Sequence, residues 1–377
     1  MKERLLVEVA DIDYGFAFNS KNFNNTGDGL PLVRIRDVLP GFSETYFHGT
    51  FDSRYLVDDS DCLIGMDGRF NLGKWRGGKA LLNQRVCRVR AKTDVVDQRY
   101  LEFYLPTALR AIEAETPFVT VKHLSAKRLA AIEVPCPSLE EQRRIAAILE
   151  KADAIRTKRR QALDLLEAVI SSEFVRRFGS PVRDDRWSRR AIGDFAETRL
   201  GKMLDKKKQN DGEVFPYLRN VNVQWFSIDL DDVLEMKFSE REREILELRD
   251  GDILMCEGGE PGRCAVWRSS KKDIYFQKAL HRIRLSEDVL PEYFVYCMRF
   301  MVEEGGLRDF VTSATIAHLT GEKLRTVQIP VPPVEEQMAF CQAANRAEQA
   351  RKMVTDDAVR IDALFASLQS RAFKGEL

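Results

Sequence analysis

The chain has 377 residues, of which 44% are hydrophobic and 31% are charged, and this composition allows two or more domains with buried cores. Its 59 basic and 59 acidic side chains cancel, which excludes an overall basic protein, so any nucleic-acid surface must be local. No apolar run reaches transmembrane length, no signal-peptide core follows the start, and the seven cysteines form no CxxC pair, so we expect a cytoplasmic chain with reduced thiols.

The first 137 residues predict a mixed α/β body. Short β-rich runs bounded by Gly, Asp, Asn and Pro are typical of strands, and a longer run between them is typical of a helix. In chain order, the predicted strands are LVRIRDV, RVCRVRA and AIEVP, and the predicted helix QRYLEFYLPTALRAIE lies between the second and the third.

A long helix is predicted over residues 139–178. Pro135 and Pro137 end the preceding strand, and Ser138 with Glu141 forms a capping box at the helix start. At a rise of 1.5 Å per residue the helix would be about 60 Å long, which is too long to pack only on its own body. Residues at alternating spacings of three and four predict a coiled-coil seam. The seam positions are Ile145, Ile148, Ala152, Ile155, Arg159, Ala162, Leu166 and Val169.

The second half of the chain repeats the first. VPCPSLEEQ, which starts at Val134, returns as IPVPPVEEQ at Ile329, 195 residues later. TVKHLSAKRLAAIEVPCP aligns without a gap on TIAHLTGEKLRTVQIPVP. Four earlier pairs of segments match in the same order, and they start at Pro31 and Pro216, Asp61 and Asp252, Gln84 and Gln277, and Tyr100 and Tyr293. A period near 190 residues is too long for a solenoid and indicates duplication of a whole domain with its trailing helix.

The second copy predicts the same kinds of element. HRIRL and VQIPV are predicted strands, PEYFVYCMRFMVEEG is a predicted helix, and a second long helix is predicted over residues 334–373. Its seam positions are those of the first helix plus 195: Phe340, Ala343, Ala347, Ala350, Val354, Asp357, Ile361 and Leu364.

These elements predict an α+β fold in which two tandem mixed α/β domains are separated by two long antiparallel coiled-coil helices, with pseudo-twofold symmetry. The first helix leaves the first body and reaches the second, so a second helix on the same seam must run back, and the final RAFKGEL should end near the first body. The predicted boundaries are 1–137 for the first domain, 138–180 for the first helix, 181–332 for the second domain and 333–377 for the second helix.

Catalytic motifs are absent from the sequence. There is no Gly-x-Gly-x-x-Gly after a strand, no Walker Gly-Lys-Ser/Thr, and no Asn/Asp-Pro-Pro-aromatic tetrapeptide of a methyltransferase. His123 and His318 occupy equivalent positions of the repeat, but neither motif supplies an orienting carboxylate and a nucleophile, so we interpret both as turn or cap residues. We therefore expect no catalytic, cofactor-binding or metal site in this chain.

Basic, glycine-containing loops are the candidate DNA-binding surface. Lysine and arginine neutralise phosphates, and arginine or asparagine reads base edges in the major groove. The candidates in the first body are Arg69, Asn71, Lys74, Arg76 and Lys79, and those in the second are Lys202, Lys206, Lys207, Lys208 and Arg263. The sequences of these loops differ between the two halves of the chain, whereas the surrounding segments of the repeat match. Two domains that bind different DNA sequences would require this pattern. The alternative is that these loops are basic only for solubility.

The motifs resemble the specificity (S) subunits of type I restriction–modification systems over essentially the whole chain. The resemblance rests on the repeated Pro-x-Pro…Glu-Glu-Gln before a long helix, the His-Leu-Ser/Thr…Leu run, the loop DGRFNLGKWRG and the closing Ala-Phe-x-Gly-Glu-Leu. It implies two target-recognition domains, each of which reads half of a bipartite site in double-stranded DNA, and helices that set the spacer and dock two methyltransferase subunits.

The resemblance also assigns the chemistry to other subunits. It implies that S-adenosylmethionine, ATP and Mg belong to the partners, and that motor/endonuclease (R) subunits join through the methyltransferase complex. Two other hypotheses remain at this point: a duplicated scaffold that assembles partners through its coiled coil without binding DNA, and an inactive remnant of a duplicated enzyme.

Overall fold

A computed structural model describes residues 2–116, 122–203, 212–269, 271–311 and 317–377. The chain divides into two compact units, one formed by residues 1–161 with 355–377 and the other by residues 162–354. Each unit therefore contains a mixed α/β body and a part of each long helix. No helix in the described residues is both long and apolar enough to cross a membrane.

The first unit is built on an antiparallel sheet of order β2-β10-β7-β8 and a second sheet of order β3-β5-β4-β9-β6, with β1 paired to β11. The strands are β1 (Glu3–Leu5), β2 (Ala10–Tyr14), β3 (Phe23–Asn24), β4 (Leu30–Val33), β5 (Tyr46–Phe47), β6 (Leu56–Val57), β7 (Cys62–Gly65), β8 (Leu72–Lys74), β9 (Ala80–Leu82), β10 (Val86–Ala91) and β11 (Glu133–Pro135). The helices are α1 (Leu6–Val9), α2 (Gln98–Glu115), α3 (Ala126–Ala130) and the first part of α4 (Leu139–Phe178).

The second unit has sheets of order β13-β21-β18-β19 and β17-β14-β20, and the pairs β12-β22 and β15-β16. The strands are β12 (Arg189–Ala191), β13 (Ala196–Leu200), β14 (Glu213–Leu218), β15 (Val223–Gln224), β16 (Ser227–Ile228), β17 (Leu234–Phe238), β18 (Ile253–Cys256), β19 (Cys264–Val266), β20 (Tyr275–Phe276), β21 (Leu280–Leu285) and β22 (Gln328–Pro330). The helices are α5 (Glu240–Ile245), α6 (Pro291–Glu303), α7 (Gly321–Thr326) and α8 (Val334–Lys374), whose last part belongs to the first unit.

The two units repeat one topology, as the sequence predicts. The order β2-β10-β7-β8 corresponds to β13-β21-β18-β19, and the pair β1-β11 corresponds to β12-β22. The central strands β7 and β18 are buried at every residue because helices or a second sheet cover both faces. One predicted strand is too long: LVRIRDV forms β4 only to Val33, and Ile35–Asp37 is a 3₁₀ turn. The Asp37 carboxylate closes this turn by accepting the backbone N–H of Arg34 at 2.9 Å.

A tyrosine anchors each body to the strand before its long helix. The Tyr100 hydroxyl donates to the carbonyl of Pro135 at 2.9 Å, and the Tyr293 hydroxyl donates to that of Pro330 at 2.8 Å. Both rings are fully buried. The hydroxyl satisfies a carbonyl at the strand end, so a large aromatic side chain fills the core without leaving an unpaired polar atom.

The long helices have the predicted extents, with α8 one residue longer than expected. At the start of α4, Ser138 Oγ accepts the N–H of Glu141 at 3.3 Å, while the Glu141 carboxylate pairs with Arg144. The helix segments within the first unit are antiparallel: Arg156 pairs with Asp362 at 2.6 Å and Arg159 with Asp357 at 3.0 Å. Within the second unit, Arg177 near the end of α4 pairs with Glu336 near the start of α8 at 2.9 Å, which gives the same direction.

The predicted seam is wrong at three apolar positions. Ile155, Val169 and Leu364 are 51%, 58% and 58% exposed. At two of these positions the next residue along the helix, Ile170 or Phe365, is buried instead. The remaining apolar seam residues are buried or half-buried: Ile145, Ile148, Ala152, Ala162, Leu166, Phe340, Ala343, Ala347, Ala350, Val354 and Ile361. A straight α-helix drifts by about 20° per heptad from a 3.5-residue repeat, so the buried stripe moves by one position over several heptads.

The C-terminal segment returns to the first body. The Phe373 ring packs edge-on against Tyr100 and Tyr104, with ring centroids 5.2 and 5.0 Å away. The Arg144 guanidinium donates to the carbonyl oxygen of Leu377 at 2.9 Å. The expectation for RAFKGEL is therefore confirmed within the first unit.

Candidate nucleic-acid interface

The first basic segment is held by two buried aromatic residues, Phe70 and Trp75, on either side of β8. The Trp75 indole N–H donates to the carbonyl of Gly78 at 2.6 Å, and its backbone N–H donates to that of Asp61 at 3.0 Å. These bonds fix the turn between β8 and β9, and the basic side chains along this segment are exposed. We call residues 75–79 the first Trp-Arg loop.

The predicted cations of this segment differ in their availability. Arg69, Arg76 and Lys79 are exposed and form no ion pair with any residue that the structure describes. Asn71 is half-buried, and Lys74 pairs with Glu102 at 2.7 Å. Exposed, unpaired guanidinium and ammonium groups on a fixed turn are suited to contacts with phosphate or base edges. Lys74 could contact DNA only after its ion pair with Glu102 had broken.

Two of the five cations predicted for the second body, Lys202 and Arg263, are held in ion pairs. The Lys202 ammonium is 17% exposed and bonds to the Glu242 carboxylate at 2.6 Å and to the Lys237 carbonyl at 2.8 Å. Arg263 is 13% exposed, pairs with Glu260 at 2.9 Å and donates to the Asn220 carbonyl at 3.0 Å. Both side chains therefore stabilise the second unit. Lys206, Lys207 and Lys208 lie outside the described residues.

Sequence reasoning missed a second basic loop. Trp267 follows β19 as Trp75 follows β8, and it is 2% exposed. Its backbone N–H donates to the carbonyl of Asp252 at 2.6 Å, the same bond that Trp75 makes to Asp61. The following Lys271 and Lys272 are exposed and have no recorded ion pair within the described part of the chain. We call residues 267–269 together with 271–272 the second Trp-Arg loop.

The signal for this loop was present in the sequence. The dipeptide Trp-Arg occurs at residues 75–76 and again at 267–268, and lysines follow it in both copies. The arginines differ in their surroundings, because Arg268 pairs with Asp250 at 2.7 Å and with Glu292 at 2.6 Å whereas Arg76 is unpaired among the described residues. The two loops therefore share a buried tryptophan and its backbone hydrogen bond, but they present different cations.

The repeated histidines lie at equivalent backbone bridges, Asp67 with His123 and Gly258 with His318. His123 Nδ1 is 2.5 Å from Asp67 Oδ1 and 3.3 Å from Arg85. A Cβ on Gly258 would meet His318 Nδ1 at 2.9 Å, so the backbone approaches this ring closely. Within the described residues no group of three or more His, Cys, Asp or Glu is arranged to hold a metal ion.

The model of the type I restriction modification DNA specificity domain family matches residues 1–167 and, a second time, residues 184–342. The chain belongs to this family. Among its relatives, the type I restriction enzyme EcoBI specificity subunit of Escherichia coli is 30% identical over 98% of this chain and 84% of the relative. The EcoKI specificity subunit of Escherichia coli K12 is 23% identical over 93% of this chain and 83% of that relative. These specificity subunits are similar to the chain along nearly its full length.

Solved structures carry the same fold as this specificity-family chain. The S subunit of a type I restriction–modification system from M. genitalium has a TM-score of 0.59 at 11% identity and covers 99% of this chain and 96% of that one. A chain from a study of complex assembly and conformational transition in a type I system has a TM-score of 0.57 at 16% identity, with 100% and 98% covered. At these identities the likeness extends to the fold alone.

Proposed function

We propose that this chain is the DNA-specificity subunit of a type I restriction–modification complex, and that each unit reads one half of a bipartite target in double-stranded DNA. The observation that carries the proposal is the double match to the specificity domain, one copy in each half of the chain. In both bodies a buried tryptophan follows the edge strand of the four-stranded sheet, β8 or β19, and exposed lysines come after it. A scaffold that does not bind DNA is disfavoured by membership of a DNA-specificity family.

The chemistry belongs to partner subunits in this proposal. Two methyltransferase subunits carry S-adenosylmethionine, and restriction subunits that use ATP and Mg join through them, so the chain itself is non-catalytic and works in the cytoplasm. The long helices set the spacer and dock the methyltransferases. Support comes from large apolar side chains that the helices leave exposed, among them Leu165 and Val169 on α4 and Met353 on α8.

The proposed DNA contacts fall into two classes. Arg69, Asn71 and Arg76 have forked or amide heads that suit base edges, whereas Lys79, Lys271 and Lys272 are point charges that suit phosphate. Lys74 is a weaker candidate because it is paired with Glu102. Lys202 and Arg263 are removed from the set because their charges are neutralised inside the second unit.

The test is reconstitution of the chain with a type I methyltransferase subunit from the same organism. We expect adenine methylation at one sequence of two short half-sites with a fixed gap, read by sequencing methylated bases in a host genome. Omission of the chain is the control and should abolish the pattern. Methylation of the same sites without the chain, or none with it, would reject the function.

A further inference from the structure

Four segments of the first unit meet at one end of the four-stranded sheet, where β2 and β7 end and β10 begins. Five backbone hydrogen bonds of 2.7–3.0 Å join these segments. From N–H to carbonyl, the bonds are Gly15 to Val86, Phe16 to Leu82, Gln84 to Phe16, Met66 to Arg85 and Leu124 to Met66. We call residues 15–16, 66–69, 83–85 and 122–124 the first platform.

The second unit repeats all five bonds at the same end of its own four-stranded sheet, with lengths of 2.8–3.1 Å. They are Gly201 to Leu280, Lys202 to Phe276, Lys278 to Lys202, Glu257 to Ala279 and Leu319 to Glu257. We call residues 201–202, 257–260, 277–279 and 317–319 the second platform. The two platforms therefore share one backbone framework, bond for bond.

A glycine is required in each copy of this framework. A Cβ on Gly15 would lie 2.0 Å from the Asn83 carbonyl oxygen, and a Cβ on Gly201 would lie 2.3 Å from that of Gln277. Both distances are far below van der Waals contact, so the chain can pass the turn before β10 or β21 only where it has no side chain. The sequence thus specifies the same close approach twice.

The exposed side chains on the common framework differ between the copies. Gln84 of the first platform has Lys278 in its place on the second, and both are exposed. Phe16, which is 47% exposed and lies against Tyr55 with ring centroids 5.2 Å apart, is replaced by the paired Lys202. A fixed backbone that carries different exposed groups is what two domains need in order to bind different sequences in the same orientation.

Arg85 on the first platform is held in place without being covered. Its φ of 69° is rare for a residue other than glycine, and strain of this kind is concentrated at functional sites. Its guanidinium lies 3.3 Å from His123 Nδ1 and 3.5 Å from the Asp67 carboxylate, and its side chain is still 52% exposed. A guanidinium that is oriented before binding loses less freedom when it meets a ligand.

We propose that the two platforms are the base-reading surfaces of the units, and that Gln84 and Arg85 in the first and Lys278 in the second are specificity-determining residues. The inference rests on the proposed function, which supplies double-stranded DNA as the ligand. Glutamine suits the major-groove edge of adenine, whereas arginine and lysine suit O6 and N7 of guanine. Arg69, already a candidate for base contact, lies on the β7–β8 turn of the first platform.

The test is the methylated motif and the DNA binding of the full complex with one platform residue changed at a time. Gln84→Ala and Arg85→Ala should each weaken discrimination at one base pair of the first unit's half-site by about 10-fold or more. Lys278→Ala should do so in the other half-site. Discrimination is the ratio of binding to the cognate duplex and to duplexes with one changed base pair. Exchange of residues 1–137 or 181–332 for those of a related subunit assigns each half-site to its unit.

A matched variant separates base reading from a general loss of charge. Arg99→Ala removes an arginine that is 50% exposed and paired with Glu150, on the helix that follows the other end of β10, and it should leave the motif unchanged. All four substituted side chains are exposed, so the variants should unfold at the wild-type temperature.

Two results would overturn the platforms while leaving the proposed function intact. One is an unchanged motif and unchanged discrimination in all three platform variants. The other is an equal loss of binding to cognate and random duplexes, which would make these residues phosphate contacts. A wild-type complex that methylates no specific sequence would reject the proposed function and this inference with it.

Discussion

Gln142 and Gln337 stand at the same position of the two long helices, and neither side chain is exposed. Each amide oxygen accepts a backbone N–H at 2.8 Å, from Asp97 in one copy and from Leu290 in the other. Each amide nitrogen donates to two backbone carbonyls, one of them on the proline that lies five residues before the glutamine. The glutamine of the repeated Glu-Glu-Gln thus connects each long helix to the start of α2 or α6 by hydrogen bonds. We call this arrangement the glutamine joint.

Loss of the glutamine joint should lower the free energy of unfolding. Gln337→Ala leaves one buried N–H and two carbonyls without their partner, so we expect a loss of about 1–3 kcal/mol in the free energy of unfolding. Urea unfolding is the measurement. Gln342→Ala, at an exposed site on the same helix, should change the free energy by less than about 0.5 kcal/mol. An equal effect of the two substitutions would contradict a stabilising role of the glutamine joint.

A buried histidine should make the second unit sensitive to acid. Burial lowers the pKa of His281 below its usual value, although the bond from Nε2 to the Leu319 carbonyl at 2.8 Å partly opposes this. Because the folded pKa is below the unfolded one, the unfolded chain binds more protons at acidic pH, and stability should fall as the pH drops below about 6.5.

The check is the urea midpoint between pH 7.5 and pH 5. His281→Gln should lower the midpoint at pH 7.5 and flatten its dependence on pH. Ile283→Val, a buried neighbour on β21, should cost about 0.5–1.5 kcal/mol and keep the wild-type slope. If His281→Gln kept the full slope, another group would have to cause it.

Among the elements, each of the two Trp-Arg loops places exposed cations after a buried tryptophan. In both, the backbone N–H of the tryptophan donates to the carbonyl of an aspartate. The residues after the tryptophan differ, with Gly-Gly-Lys in one copy and Ser-Ser-Lys-Lys in the other. Loops that share a buried tryptophan and differ in their exposed residues are suited to reading two different half-sites.

A salt titration should distinguish the contacts to phosphate, which position the protein, from the contacts to base edges, which read the sequence. Lys79→Ala, or Lys271→Ala with Lys272→Ala, should weaken binding to cognate and random duplexes alike and lower the salt slope by about 0.9 per lost phosphate contact. Arg76→Ala should weaken cognate binding selectively, by about 1–3 kcal/mol. Lys202→Met removes a paired cation and should leave the slope unchanged. Unaltered affinities in all the loop variants would place the DNA on another surface.

The whole molecule is a duplication in which each unit keeps its own sheets, anchoring tyrosine and glutamine joint. Each unit also draws on both long helices, because the division falls at residues 161 and 354. A unit of this kind has a complete core of its own, so its DNA-reading surface can vary without disturbing the other.

Independent reading leads to a chimera experiment. Residues 1–137 are exchanged for the matching segment of a related specificity subunit, and the methylated motif is sequenced. We expect one half-site to change while the other half-site and the gap stay the same. The reciprocal exchange of residues 181–332 is the control and should change the opposite half. A motif altered in both halves by one exchange would indicate a single composite site.

The sequence by itself was sufficient for the features that depend on local order. Strand runs, the duplication and the start of each long helix follow from turn residues, prolines and 3-4 spacing, which act within a few residues. The antiparallel direction also followed, since a helix that starts at the second body can share the seam only by running back. The Trp-Arg repeat is also visible in the sequence, at residues 75–76 and 267–268.

The tertiary structure decided which charges are available and which helix face is buried. Lys202 pairs with Glu242 only because the segment after β13 meets α5, 40 residues further along the chain, and no spacing rule anticipates that pairing. Ile155 and Leu364 fit a heptad on paper, yet they are exposed because a straight helix has 3.6 residues per turn and its buried stripe drifts.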